Sequence, residues 1–184
     1  MLGARALTAQ KVLVLDASAF IAGFDPLSVS ETQYSVPEVG RELLLNSLPR
    51  LRFTTAVDSG RLKIRVPAKE FLGRVKEASR KVGDVLFLSD ADLQVLALAL
   101  ELKAEGYDPQ IVTDDYSIQN VADQLAMVFA PLMTFGIRFR LEWVIYCPAC
   151  HRKYPPDYSP KSCEVCGTKL KRKPLGKRAV RKAE

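Results

Sequence analysis

Acidic residues at strand and helix ends and two cysteine pairs carry the chemistry available to this chain. Asp16 closes the apolar run Val12-Leu13-Val14-Leu15, while Asp114 and Asp115 close Ile111-Val112-Thr113. Parallel sheets bind ligands at the carboxyl ends of their strands, where strand order reverses, so both sets of acids are expected at one edge. Glu42 follows Glu38 by one helical turn, and Asp90 and Asp92 open a helix that Ser89 can cap. Four loci far apart in sequence are thus expected to converge on one acidic pocket. Mg²⁺ and Mn²⁺ prefer carboxylate oxygens, and clustered carboxylates tolerate one another when a cation lies between them. A cation held so lowers the pKa of bound water and neutralises charge on a phosphoryl group, so no separate nucleophile is needed. The single histidine, His151, adjoins a cysteine, which leaves a Ser-His-Asp or Cys-His mechanism without parts.

Each acid also has a structural use. Asp92 three residues after Ser89 makes a capping box, and Asp90 suits the helix dipole. Glu38 fits a capping box with Ser35, which leaves Glu42 the less explained of the pair. Asp114 or Asp115 can cap the helix that follows. Asp16 is hardest to account for structurally, since an aspartate ending a buried strand must be solvated or paired. The segment Asp16-Ala17-Ser18 lacks the second acid of an Asp-x-Asp phosphatase, and no glycine-rich phosphate loop follows the first strand.

Cys147-x-x-Cys150 and Cys163-x-x-Cys166 are separated by 12 residues. That spacing predicts a closed, tetrahedral, structural Zn²⁺ site rather than a disulfide framework. Gly167 follows the second pair, where a positive φ turns backbone amides toward sulfur; His151 holds the same place in the first and reads as a turn residue. Arg152, Lys153, Lys161, Lys169, Lys171, Arg172 and Lys173 surround the pairs and are candidate phosphate contacts. Tyr154 and Tyr158 lie among them, either as base-stacking faces or packed across a hairpin.

The positioning elements read as α/β. Lys11–Leu15 is a continuous apolar run suited to a central parallel strand, 62–66 a shorter strand stopped by Pro67, and 110–113 a third. Helices are expected at 35–46 with Ser35 as N-cap, at 68–82, from Ser89 to near Gly106, and at 116–129. Beyond Pro131, Ile137, Phe139, Leu141 and Trp143 alternate with polar positions as one strand leading to Cys147. The predicted organisation is a three-layer α/β/α domain over residues 8–130 with a mostly parallel sheet. A connector at 131–145, a zinc-ribbon β domain at 146–172 and a flexible basic tail at 173–184 follow it.

At 48% hydrophobic residues, the chain can build a core without covalent staples. No apolar run reaches the ~18 residues of a membrane helix, and the N-terminus lacks a signal-like apolar stretch. A soluble cytoplasmic protein without membrane partners is expected, with its oligomeric state open. The net charge of +6 is uneven: residues 137–184 carry 13 Lys/Arg against 4 Asp/Glu, and residues 1–136 carry 14 against 17. A basic end on a slightly acidic body suits a polyanionic partner.

The segments LVLDASAFI, PEVGREL, LSDADLQVLALALEL and IVTDD resemble the PIN-domain ribonucleases. The resemblance implies four acids holding one or two divalent metals. By motif these are Asp16, Glu42, Asp92 and Asp115, with Asp114 an extra acid and Asp90 a helper. PIN motifs, then a four-cysteine ribbon, then basic residues resemble the Nob-one endonucleases in their compact archaeal form. That implies Mn²⁺- or Mg²⁺-dependent cleavage of precursor small-subunit rRNA at its 3′ end, with the small-subunit precursor and ribosome-assembly proteins as partners. The rival expectations are a PIN toxin-like RNase acting on tRNA or mRNA, and a noncatalytic zinc-ribbon rRNA-binding assembly factor.

Overall fold

The computed structural model describes residues 9–134, 136–137 and 139–180. Five parallel strands form the main sheet: β1 (Lys11–Leu15), β2 (Thr32–Ser35), β3 (Leu62–Ile64), β4 (Asp108–Val112) and β5 (Val128–Ala130), in the order β3-β2-β1-β4-β5. The chain builds outward from β1 to one side, then returns to add β4 and β5 on the other. The order therefore reverses between β1 and β4, which pair with Leu15 opposite Val112. Asp16 N–H continues this ladder to the Val112 carbonyl at 3.2 Å.

Helices α1 (Ala17–Ile21), α2 (Pro37–Glu42), α3 (Leu48–Asp58), α4 (Lys69–Val82), α5 (Asp90–Ala104) and α6 (Tyr116–Gln124) flank this sheet. Helix α5 lies against β1 and β4. Its apolar side chains point all round and are nearly all buried, from Leu93 through Leu102, as a helix inside the molecule requires. Glu101 near its end takes Arg65 and the Ala68 N–H at 2.8 Å, tying the β3–α4 connection down.

The second sheet is antiparallel, in the order β7-β6-β8: β6 (Phe139–Tyr146), β7 (Lys153–Tyr154) and β8 (Lys171–Ala179). Pairing of β6 with β8 runs from Phe139 opposite Ala179 to Tyr146 opposite Lys171. The connector and basic tail read from sequence thus meet as one ribbon. Residues 173–179 are strand rather than flexible tail, because they pair with Phe139–Val144 of β6; residues 181–184 lie outside the described residues.

The ribbon is latched to the α/β domain. Asp84 is only 1% exposed, accepting from Arg172 Nη1 at 2.8 Å and from Asn120 Nδ2. Asn120 also bonds both backbone groups of Leu141 on β6, at 2.7 and 2.8 Å. The Arg172 guanidinium lies 3.7 Å from the Phe87 ring centroid and 4.0 Å from that of Trp143. Beside the latch, Gly83 ends α4 at φ +79°, where an added Cβ would lie 2.4 Å from the Trp143 carbonyl oxygen. Gly83→Ala combines left-handed strain, about 1–3 kcal/mol, with a backbone overlap that only ribbon displacement relieves. A lowered Tm with increased hydrogen exchange in β6 is the expected result, and an unchanged Tm would contradict this packing.

Several local expectations are corrected. Ser35 is no N-cap: it ends β2, buried, and donates Oγ–H to the Leu15 carbonyl at 2.7 Å. Pro37 starts the following helix, which stops at Glu42 rather than Asn46. The helix expected at 116–129 ends at Gln124, and 128–130 form the edge strand β5. Strand β3 closes at Ile64 rather than Val66.

Candidate active site and four-cysteine centre

The reversal of strand order places Asp16 and the Thr113-Asp114-Asp115 segment side by side. Asp16 is buried, and its Oδ2 accepts from Ser18 Oγ at 2.7 Å, Thr113 Oγ1 at 3.0 Å and Ser18 N–H at 3.3 Å. Its Oδ1 is buried without a partner among the described residues. Burial pushes the Asp16 pKa up, against the pull of those hydrogen bonds. An orphaned carboxylate oxygen is costly unless a cation meets it.

Asp92 shows one carboxylate in two uses. Its Oδ2 accepts the Ser89 N–H at 2.7 Å while its own N–H returns to Ser89 Oγ at 3.1 Å, completing the capping box. Oδ1 takes no hydrogen bond among the described residues. Burial, followed by the charges of Asp16 and Asp115, raises its pKa to about 6. Those charge effects place Asp16 and Asp115 within electrostatic reach of Asp92, while among the described residues only the four cysteines bring their ligand atoms close enough to hold an ion as they stand. Asp115 repeats the pattern: Oδ1 caps α6 by accepting Ser117 N–H at 2.6 Å and Ile118 N–H at 3.3 Å, and Oδ2 takes no hydrogen bond among the described residues.

Asp114 is spent. It takes the backbone N–H groups of Leu132, Met133 and Thr134 and the Thr134 hydroxyl, all at 3.0–3.1 Å. Desolvation is the largest influence on it and acts upward, yet those bonds hold its pKa below the usual value. Asp114 therefore anchors the turn after β5, while the charge of Asp115 is felt at Asp92. Asp90 is exposed in the first turn of α5. Glu42 is exposed at the end of α2, and the structure records no interaction between it and the three aspartates. Glu38 ion-pairs with Arg41 at 2.9 Å through Oε1 and has a buried Oε2 without a partner.

Two hydroxyls escaped the sequence reading. Ser18 Oγ accepts Asp114 N–H at 3.0 Å, and Thr113 Oγ1 accepts Asp115 N–H at 3.1 Å, while both donate to Asp16. They lace the β1 and β4 loops into one unit. A hydroxyl two residues beyond, or one before, a strand-end acid was the available signal. Such groups that orient metal ligands typically matter 10–100-fold. Thr113→Val removes a partner from both Asp16 and the Asp115 N–H, so a modest fall in Tm and divalent-metal binding weakened about tenfold are expected; unaltered calorimetric affinity would remove Thr113 from the site.

The four cysteine Sγ atoms all lie within 4.8 Å of one another, with Cys147–Cys166 at 3.4 Å and Cys150–Cys163 at 3.5 Å. Both turns form as expected, with φ of +60° at His151 and +70° at Gly167. Cys150 N–H reaches Cys147 Sγ at 3.4 Å. Four soft donors in this arrangement suit a tetrahedral metal. Tyr154 is buried with its hydroxyl 2.9 Å from Cys163 Sγ and packs on Tyr158, ring centroids 4.4 Å apart; these rings are ribbon core, not free stacking faces. Of the basic candidates, Lys153, Lys161, Lys169, Lys171 and Lys173 are exposed. Arg152 is paired with Glu164, and Arg172 belongs to the latch.

A parallel sheet with acids crowded at its switch point is the architecture of a PIN-domain ribonuclease, and the family described as "PIN domain of ribonuclease" matches residues 13–102. Similarity continues past that region. The endoribonuclease Nob1 of Methanocaldococcus jannaschii is 40% identical over 94% of this chain and 82% of its own. That of Methanothermobacter thermautotrophicus is 38% identical over 87% and 91%. Ribonuclease VapC1 of Thermoplasma acidophilum is 38% identical over 67% of this chain and 60% of its own. The chain belongs to the endoribonuclease Nob1 family. Among the described residues, no helix is long and apolar enough to cross a membrane.

Proposed function

We propose that this endoribonuclease cuts precursor small-subunit rRNA at its 3′ end, with Asp16, Glu42, Asp92 and Asp115 holding Mn²⁺ or Mg²⁺ and the four cysteines holding Zn²⁺. The observation carrying the catalytic half is the repeated division of labour in three aspartates. Protein donors pin Oδ2 of Asp16, Oδ2 of Asp92 and Oδ1 of Asp115, and the other oxygen of each has no hydrogen bond among the described residues. Hard-cation chemistry matches this donor set. A zinc–sulfur distance of ~2.3 Å implies sulfur–sulfur separations of about 3.8 Å in a tetrahedron, close to those of the cysteine cluster.

A divalent cation bound at the aspartates would acidify a water and neutralise charge developing on the scissile phosphodiester. The chain's own residues supply the geometry. Ser18 and Thr113 hold Asp16 rigid, the Ser89 cap fixes Asp92, and the α6 N-terminus fixes Asp115. In the proposal Glu42 is the acid that joins from α2, and Asp114 stays structural. The exposed lysines of the ribbon would meet phosphates of neighbouring rRNA. Similarity that extends across the ribbon supports this reading over a toxin-like RNase. Mapping the cuts made with Mn²⁺ in an RNA spanning the small-subunit 3′ end tests it. One dominant position is expected, and equal cutting of any unstructured RNA would overturn it.

The pH response follows from Asp92. Its pKa in the folded chain, about 6, exceeds the ordinary 3.8, so the fold favours the protonated form. The stability this contributes without metal is complete below about pH 4 and is lost as pH rises through 6. Cation binding requires the ionised form and runs oppositely. Below pH 6 the Mn²⁺ affinity is expected to fall by about tenfold per pH unit; a flat calorimetric profile between pH 5 and 7 would contradict a role for Asp92.

A further inference from the structure

A cavity of about 430 Å³ opens between α6 and the β6–β8 ribbon. Tyr116 and Ser117 of α6, Phe139, Leu141 and Trp143 of β6, and Arg172 of β8 line it. Its position is the informative feature. Tyr116 directly follows Asp115, and Ser117 donates its N–H to that carboxylate at 2.6 Å. Asp84, also in the lining, feels the charge of Asp115. The cavity therefore begins beside an acid of the catalytic cluster.

Its chemistry is that of a pocket for a flat, partly polar ring. Tyr116 and Phe139 are 56% and 46% exposed, with Lys177 Nζ 5.0 Å from the Phe139 ring centroid. Arg172 commits Nη1 to Asp84, and its other N–H groups have no hydrogen-bond partner among the described residues. Exposed Lys177 pairs opposite the cavity-lining Leu141 in the ladder and so shares the face that carries Arg172, and a polyanion reaching the cavity would run beside these two positive charges. Aromatic faces with cations alongside are how proteins hold unpaired bases of single-stranded nucleic acid.

We propose that this cavity receives the unpaired base of a nucleotide flanking the phosphodiester at the acid cluster, with Tyr116 and Phe139 as stacking faces and Arg172 and Ser117 as polar contacts. The proposal rests on reading the cluster as the RNA-cleaving centre. It gives the latch a second consequence: by docking the ribbon, Asp84 and Arg172 complete a substrate pocket that the α/β domain alone would lack.

Trp143 is the chain's one tryptophan and lines the cavity, so its fluorescence reports on occupancy. The full chain, with Mg²⁺, is titrated with a single-stranded RNA tetranucleotide on a time scale short against cleavage. A tetranucleotide of the same backbone lacking its bases is the comparison. Saturable quenching by the intact RNA is expected, with affinity about tenfold above that of the abasic RNA. The doubly substituted Tyr116→Ala, Phe139→Ala chain should lose most of this difference; both rings are exposed, and an unchanged Tm verifies its fold. Equal affinity for the two RNAs, an unresponsive Trp143, or an undiminished difference in the variant would each overturn the proposal. Base-dependent quenching by a protein that never cuts RNA with Mn²⁺ would instead overturn the cleavage reading and leave the pocket standing.

Discussion

Asp16→Asn is expected to lower RNA cleavage by about a thousandfold or more and, without metal, to raise the melting temperature. Both effects have one cause. The wild-type carboxylate is buried with Oδ1 unpartnered among the described residues, and its charge is felt at Asp92 together with that of Asp115. Asparagine keeps an oxygen for the Ser18 and Thr113 hydroxyls and removes the buried charge. Its amide can donate toward the carboxylates that previously repelled Asp16. A gain of about 1 kcal/mol is reasonable for relieving one unsatisfied buried polar group. The trade of stability for a poised site is common in enzymes. Thermal unfolding in EDTA at pH 7.5, alongside cleavage with Mn²⁺, measures both. A variant that loses activity and also melts lower would show that Asp16 is a structural residue.

Removing the metal from the four cysteines should have the second-largest effect, confined to one part of the chain. The ribbon's own core is small: Cys147, Tyr154 and Cys163 buried, with Ile145, Tyr158 and Leu170 packed on them. Structural zinc in such modules supplies roughly 10–16 kcal/mol of apparent binding free energy at pH 7, which is folding energy. The α/β core is separate and much larger. Chelation, or Cys163→Ser, is expected to abolish hydrogen-exchange protection across residues 147–170 while β1 and α5 remain protected. The ends of β6 and β8 near Arg172 and Leu141 should resist longer, because the Asp84–Asn120 latch holds them from the other side. Unchanged protection at 147–170 after chelation would contradict a folding role for the metal.

The elements that sequence made plain are those whose local signals agree with their burial. The KVLVL strand, the Ser89 cap with the all-apolar helix behind it, and the cysteine pairs with Gly167 and His151 at their turns each carry an intrinsic period, cap or spacing. They appear where expected. Strand β2 was hidden because Thr32-Gln33-Tyr34-Ser35 has no apolar run, yet Gln33 and Ser35 are buried through hydrogen bonds made across the fold. Edge strand β5 read as the continuation of a helix, since three residues of apolar sequence carry no distinguishing period. The ribbon strand β8 looked like a solvated basic tail because its partner lies some thirty residues earlier, and only long-range pairing distinguishes the two.

The acids divide in the same way. Strand-end position made Asp16 and the Asp114-Asp115 pair visible. Which member of the pair is spent on the turn at 132–134 depended on contacts between distant segments. The capping box at Ser89 was legible; the structure satisfies it with one oxygen of Asp92 and leaves the other without a hydrogen bond among the described residues. The roles of Ser18, Thr113 and the Asp84 latch arise only when loops far apart in sequence meet.

The most direct test of the central claim is a crystal structure of the chain soaked with Mn²⁺, with the ion located by its anomalous scattering. The account predicts manganese about 2.2 Å from Asp16 Oδ1, Asp92 Oδ1 and Asp115 Oδ2, with Asp114 still bonded to the 132–134 backbone. Manganese bound at Asp114 instead, or none between these three aspartates at saturating concentration, would contradict it.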